Sequence, residues 1–140
     1  MENYLASLVN FDNAFEMKIL GFDWKCFDFY EETIVGVHMR LDPRLCHSQR
    51  AKPVNWNDES DDESVLTSAP TIQMGIVWLL DEHKLFIQVE PYWSEDGRQF
   101  LAKILKINDS CATLLKTVMV NDTVESAYQN AMSYIFKNIL

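Results

Sequence analysis

Apolar and polar residues alternate along most of the second half of the sequence, and this pattern constrains the fold more than any other feature. Residues can be assigned to two alternating strand faces in Ile72–Leu80, where both faces are largely apolar, and in Leu85–Glu90 and Phe100–Leu105, and Cys111–Val120 follows the turn at 108–110 as a fourth strand. A period of two places successive side chains on opposite faces of a β-strand. The acidic stretch 94–97 ends in Asp-Gly, which favours a hairpin turn. We therefore predict a four-stranded antiparallel meander joined by short turns.

A weaker alternation in the first half predicts a β-hairpin. Trp24–Tyr30 and Thr33–Leu41 form its two strands, and Glu31-Glu32 forms the connection. The second strand groups apolar residues on one face and places Gly36, His38 and Arg40 on the other, which is typical of a sheet with one solvated face.

The two ends of the chain favour helices. The stretch from Glu2 to about Leu20 has no Gly or Pro, and Asp12 could divide it by capping a second turn. Near the C-terminus, Asp122 as N-cap and Glu125 form an approximate capping box. An apolar stripe at helical spacing follows, from Val124 to Ile139. The prediction is an α+β fold, in which an antiparallel sheet (hairpin plus four-stranded meander) carries an N-terminal and a C-terminal helix packed on it.

Residues 42–70 differ in composition from the rest of the chain. Basic residues give way to five acids within the eight residues 56–63, and apolar residues are few. A connection of this length in a compact domain is usually functional or disordered. We predict a single domain over residues 1–140 with one long mobile loop at about 42–70.

The charge balance excludes several classes of function. Twelve basic and 21 acidic residues give a formal net charge of −9. Phosphate binding depends mainly on Lys and Arg, so direct nucleic-acid binding and docking on an anionic membrane are not expected. The N-terminus lacks a signal peptide pattern, and the three cysteines have no Cys-x-x-Cys spacing. We expect a cytoplasmic protein.

Catalytic motifs are absent from the sequence. The four glycines form no phosphate-binding loop, and no nucleophile elbow or zinc-protease motif occurs. Cys46 and His47 are adjacent, so in an extended segment their side chains point in opposite directions and form a dyad only with an unusual backbone. We predict no enzyme activity, no cofactor and no metal. A thiol enzyme that uses Cys46 with His47 or His38 stays open as an alternative.

Aromatic residues next to acids are the feature that most favours binding of another protein. Buried aromatic anchors inside a polar rim are typical of binding hot spots, and an acidic surface steers basic partners. The predicted partner is a basic protein, such as a toxin, a nuclease or another nucleic-acid-handling protein. The predicted contact residues are Trp56, Asp58, Glu59, Asp61, Asp62 and Glu63 in one segment and Tyr92, Trp93, Glu95 and Asp96 in another.

Two resemblances of general type suggest what such a binder does. A short acidic α+β domain without catalytic motifs resembles the immunity proteins that neutralise bacterial toxins and the phage inhibitors of host defence. This implies a small inhibitor that occludes its partner. An N-terminal helix followed by Phe22-Asp23 and Cys26-Phe27-Asp28 resembles the acidic chaperones of type III secretion. That second resemblance implies a homodimeric chaperone or adaptor that holds a disordered segment along a sheet edge, so both monomer and homodimer stay open.

Overall fold

The computed structural model describes residues 7–35, 39–48 and 52–140, and in these residues three α-helices and two antiparallel sheets form an α+β fold. The predicted fold class is therefore confirmed. Contacts group the chain into two compact units: Leu8–Pro70, called here the N-terminal unit, and Thr71–Leu140 with Ser7, called the C-terminal unit. The assignment of residues 1–140 to a single domain stays a prediction.

The sheet of the N-terminal unit is built around its first strand. Strand β1 (Asp28–Val35) pairs antiparallel with β2 (Met39–Arg40), β3 (Arg44–His47) and β4 (Ser64–Ala69). Strands β3 and β4 pair with the same part of β1, so they lie on either side of it.

The predicted hairpin turn at Glu31-Glu32 is wrong, because β1 continues through both residues. Glu31 lies opposite Arg44, whose guanidinium is 2.9 Å from the carboxylate, and Glu32 lies 3.7 Å from Arg40. Cross-strand pairs of opposite charge favour two acids within a strand. The predicted strand Thr33–Leu41 is also wrong, since it is divided between β1 and β2. Residues 36–38, including His38, lie outside the described residues.

The prediction of one long loop over residues 42–70 is wrong as well. This segment contains β3, a short 3-10 turn (Trp56–Asp58) and β4. Strands β3 and β4 are short and carry many polar residues, so no apolar alternation marks them. Both strands exist because β1 provides their hydrogen-bonding partner.

Helix α1 (Phe11–Ile19) packs against β4. Of the predicted helix from Glu2 to Leu20, residues 2–6 lie outside the described residues and residues 7–10 are not helical. The N-cap of α1 is Asn10, whose side chain accepts a hydrogen bond from the Asn13 N–H, so Asp12 lies inside the first turn. Gly21 ends the helix with a φ of +92°, which suits glycine. The N–H groups of Gly21 and Phe22 donate to Lys18 and Met17, which is the Schellman pattern of C-capping.

In the C-terminal unit, Ile72–His83 is helix α2, so the predicted first strand of the meander is wrong. Thr71 caps the helix start through the Met74 N–H, and Lys84 ends it in the left-handed conformation with φ 57°. Its buried residues Ile72, Gly75, Trp78 and Leu79 follow helical spacing. Nearly every residue of this run is apolar, so a period of two and a period of 3.6 fit it equally well.

The remaining three strands form the predicted meander. Strands β5 (Leu85–Ser94), β6 (Gly97–Ile107) and β7 (Ala112–Asn121) pair antiparallel in that order. The turn at 94–97 is confirmed, with Ser94 opposite Gly97 and Gly97 at φ +105°.

Helix α3 (Val124–Asn138) covers this sheet and completes the core of the unit. Its N-cap is Thr123, which forms a capping box with Ser126, so the predicted Asp122–Glu125 box is wrong by one residue. The core combines β5, β6 and α3 through side chains that are at most 1% exposed: Leu85, Ile87, Ala102, Ile104, Ala127, Ala131, Met132 and Ile135. Within the described ranges, none of the helices has the length and apolar character needed to cross a membrane.

Candidate functional site

Trp56, predicted as an aromatic anchor for a partner, lies in the core of the N-terminal unit. Its ring stacks on Phe29 at 4.2 Å between centroids, and its indole N–H donates to the Cys26 carbonyl at 2.8 Å. The Trp56 backbone N–H also donates to the Ser68 hydroxyl. Only 6% of the residue is exposed. Trp56 therefore positions the segment that follows it and offers no surface to a partner.

The acidic segment 58–63 leaves this buried tryptophan and leads into β4. Its five carboxylate residues, Asp58, Glu59, Asp61, Asp62 and Glu63, are all exposed. They form a strongly negative surface on a short connection between two structured elements.

Hydrogen bonds hold the acidic segment in a defined conformation. The Asp61 carboxylate accepts from the N–H groups of Glu63 and Ser64, at 2.8 and 2.9 Å. At the start of the segment, the Asn55 amide donates to the Asp58 carboxylate. The Ser60 hydroxyl accepts from the Leu66 N–H at 2.9 Å, which ties the segment to β4. Asp61 and Ser60 thus stabilise the conformation of the acidic segment.

The second predicted segment lies at the tip of the β5–β6 hairpin. Trp93 lies opposite Arg98 and is 77% exposed, the largest exposure among the large apolar residues of the described chain. Glu95 and Asp96, both exposed, form the turn itself. The Ser94 hydroxyl accepts from the Asp96 N–H and donates to the Gly97 carbonyl, which fixes this turn.

Tyr92 does not share the surface of Trp93. Adjacent residues of a strand point to opposite faces, and the Tyr92 hydroxyl donates to the Gln99 side chain at 2.6 Å. The hairpin tip therefore presents one exposed tryptophan and two carboxylates. It belongs to the C-terminal unit and the acidic segment to the N-terminal unit, so each is considered as a separate surface.

The Cys46–His47 pair shows the opposed arrangement expected in an extended segment. His47 lies across from Asp28, with its Nδ1 atom 2.5 Å from the carboxylate. Cys46 lies across from Phe29, and its thiol donates to the Arg44 carbonyl at 3.6 Å. The imidazole thus pairs with an acid on one face of the sheet while the thiol lies on the other.

Cys26 is the buried thiol of the N-terminal unit. It is 2% exposed and donates to the Trp24 carbonyl. Burial, helped by the nearby charge of Asp28, raises the pKa of this thiol to about 12. Such a thiol is protonated at neutral pH and is a poor nucleophile. Among residues 7–35, 39–48 and 52–140, no three His, Cys, Asp or Glu side chains lie close enough together to hold a metal ion.

A surface cavity of about 450 Å³ lies where α2 ends and β6 ends. It is lined by Leu80, Asp81, Lys84, Ile107, Asn108 and Asp109. The Lys84 ammonium donates to the Asp81 carbonyl, and the Asn108 side chain accepts from the N–H groups of Ser110 and Cys111. These polar groups form hydrogen bonds that stabilise the local turns.

Sequence reasoning missed the exposed apolar side chains of β7. Leu114 and Met119 are each 53% exposed, and Leu115 is 44% exposed. The last strand of a meander has a free edge, and residues 110–121 contain no acid. These two signals were visible in the sequence and identify β7 as a third candidate surface.

Comparison of the chain with protein-family models, with curated proteins and with solved structures finds no match in any of the three.

Proposed function

We propose that this protein is a small acidic inhibitor, of the immunity-protein or anti-defence type, that occludes a basic or nucleic-acid-handling partner protein. The observation that carries the proposal is the acidic segment 58–63, whose five carboxylate residues are exposed on a hydrogen-bonded connection. We place the protein in the cytoplasm on the basis of its three free cysteines. Its role is binding, without catalysis.

A fixed acidic loop is better suited to binding than a flexible one. Ordering a loop on association costs free energy, and a loop that is already ordered avoids that cost. The Asp61 and Ser60 hydrogen bonds and the buried Trp56 provide this order before any partner arrives. The clustered negative charge then steers a basic partner and raises the association rate at low salt.

The hairpin tip supplies a separate apolar contact. Trp93 is mostly exposed beside Glu95 and Asp96, and tryptophan is enriched at the centre of binding hot spots. We expect Trp93 to act mainly on the dissociation rate, because burial of an apolar anchor stabilises the formed complex. Trp93 replaces the buried Trp56 as the proposed anchor.

The test compares two variants with equal charge changes. The first neutralises the acidic segment at four positions and keeps Asp61 for its hydrogen bonds: Asp58→Asn, Glu59→Gln, Asp62→Asn and Glu63→Gln. The control neutralises four exposed acids elsewhere: Glu16→Gln, Asp23→Asn, Asp42→Asn and Glu82→Gln.

The partner is captured from the native source with the wild-type chain and identified, and its binding is then measured with purified proteins. The first variant should associate more slowly and with a weaker salt dependence, while the control retains most of the wild-type rate. A basic partner that binds both variants equally would refute the role of the acidic segment. Capture of acidic partners alone would refute the proposal as a whole.

A second candidate is a chaperone or adaptor that holds a disordered segment along a sheet edge. The observation that favours it is β3, which in the described part of the chain pairs with β1 alone and has exposed apolar residues in it and next to the start of β1. Phe27 is 56% exposed and Leu45 is 43% exposed. An extended segment can add to such an edge through backbone hydrogen bonds. Under this alternative, Phe27→Lys with Leu45→Lys abolishes binding, and neutralising residues 58–63 leaves it unchanged.

A further inference from the structure

The outer strand of the C-terminal sheet has an exposed apolar edge. Within the described residues, β7 pairs with β6 alone. Leu114, Leu115 and Met119 on this strand are each more than two-fifths exposed. A long edge strand with apolar side chains readily pairs with another chain.

The opposite edge of the same sheet, strand β5, is protected against pairing with another chain, whereas β7 is not. Strand β5 carries Pro91, which has no N–H to donate, and Glu90, whose half-exposed ion pair with Lys103 at 2.9 Å keeps polar groups next to this edge. Strand β7 has no proline and no acid, and its one charged residue is Lys116. The Lys116 ammonium lies 5.4 Å from the centre of the Tyr134 ring of α3, so this charge is partly engaged within its own unit.

The charge pattern indicates which partner this edge accepts. Each chain carries −9, so two copies repel wherever their acidic surfaces face each other. Residues 110–121 contain no acid, and two copies can therefore meet there without opposing carboxylates. Both copies bring Lys116 to such a contact, and each ammonium is engaged with Tyr134 of its own unit, so these like charges oppose the contact less than free ammonium groups would. We propose that β7 is a self-association surface that binds β7 of a second copy of this chain.

The proposed contact is isologous: the same strand contributes from both copies about a two-fold axis, as in most homodimers. Two register shifts between β6 and β7 interrupt the strand's regular geometry near Leu115 and Met119. Backbone hydrogen bonds between the two copies are therefore confined to short stretches. Packing of Leu114, Leu115 and Met119 against the second copy provides the remaining contact. The inference is independent of the proposed inhibitor function, which uses other residues.

The test measures oligomeric state by sedimentation equilibrium over a range of protein concentrations. The wild-type chain should reach twice the monomer mass, and Leu115→Lys with Met119→Lys should remain monomeric with an unchanged circular dichroism spectrum. The matched control, Val77→Lys with Leu140→Lys, alters two other exposed apolar residues of the same unit and should still dimerise. A wild-type monomer at all concentrations, or a dimer that survives the β7 substitutions, would overturn the proposal.

Cross-linking gives a second readout that does not require a destabilising lysine. In an antiparallel pair of identical strands one position faces itself, so single cysteines along 113–119 should give one maximum of disulfide-linked dimer. The scan is made in a Cys46→Ser, Cys111→Ser background under a mild oxidant, with Val77→Cys as the control position. A flat profile along β7, or a control as strongly cross-linked as the maximum, contradicts the proposed pairing.

Discussion

Two tryptophans in similar sequence contexts have opposite roles in this protein. Trp56 and Trp93 each precede acidic residues, and each was a candidate anchor for a partner. Trp56 stacks on Phe29 and donates to the Cys26 carbonyl, whereas Trp93 lies exposed at the tip of the β5–β6 hairpin. The difference arises because residues far from Trp56 in the sequence cover its ring, whereas the ring of Trp93 remains in solvent.

This contrast predicts unequal effects on stability. Trp56→Ala should lower the free energy of unfolding by about 3–5 kcal/mol, since it leaves a cavity and removes a buried hydrogen bond. Trp93→Ala should change it by less than about 0.5 kcal/mol, because the side chain is mostly in solvent. Urea denaturation followed by circular dichroism measures both. Equal effects would show that the burial assigned to Trp56 is incorrect.

At the level of elements, the segment Ile72–His83 shows how an apolar run can mislead. Alternation predicted a strand, but the buried residues repeat at helical spacing and both helix ends are capped. Thr71 supplies the N-cap, and Pro70 precedes it, where a strand or helix commonly ends. The helix also separates the two sheets along the chain, so the C-terminal meander has three strands instead of four.

The left-handed cap of α2 provides a test of the helix. Lys84 has φ 57°, a conformation that glycine adopts without steric cost. Lys84→Gly should therefore be more stable than Lys84→Ala by about 1 kcal/mol, since both remove the ammonium and only alanine keeps the Cβ atom. Chemical denaturation of the two variants gives the difference. If alanine is as stable as glycine, this residue is not left-handed and the helix ends elsewhere.

At the level of the whole molecule, the charge is unevenly distributed. Residues 1–70 carry 13 acidic and 6 basic residues, and residues 71–140 carry 8 and 6. The structure places much of the excess on the exposed segment 58–63 and leaves β7 free of acids. Two surfaces with different chemistry result: an acidic one, for which we propose a basic partner, and an apolar one, for which we propose a second copy.

The stability of the molecule should fall in alkaline solution, and Cys26 contributes to the fall. Its pKa is raised by burial from 9.0 to about 12, so the unfolded chain releases this proton at lower pH than the folded one. The stabilisation is complete below about pH 9 and is lost as the pH rises from about 9 toward 12. Between pH 7 and pH 10 the loss from this thiol is about 1.4 kcal/mol.

Cys26→Ala lacks the ionisable group and serves as the comparison. The difference in unfolding free energy between wild type and variant should shrink by that amount over this pH interval, since all other titrating groups are shared. Cys111→Ala, at an exposed cysteine, controls for the loss of a thiol elsewhere in the chain. A constant difference between wild type and Cys26→Ala would show that the thiol is not buried in the folded state.

Local patterns in the sequence determined the fold class, the C-terminal helix and the strands β5, β6 and β7. Each of these has a periodicity or a turn signal within a short window, such as the acidic turn before Gly97 or the apolar stripe of α3. The acidity of residues 58–63 was equally visible, but their hydrogen-bonded conformation was not.

Features that depend on residues far apart in the chain arise from the tertiary structure and have no local signal in the sequence. Strands β3 and β4 form on β1, Glu31 and Glu32 lie within a strand because basic residues face them, and Trp56 is buried because Phe29 lies beneath it. Leu114 and Met119 are exposed because, among the described residues, no strand other than β6 pairs with β7 and covers them. Burial and strand pairing are properties of three-dimensional neighbours, which a local pattern does not specify.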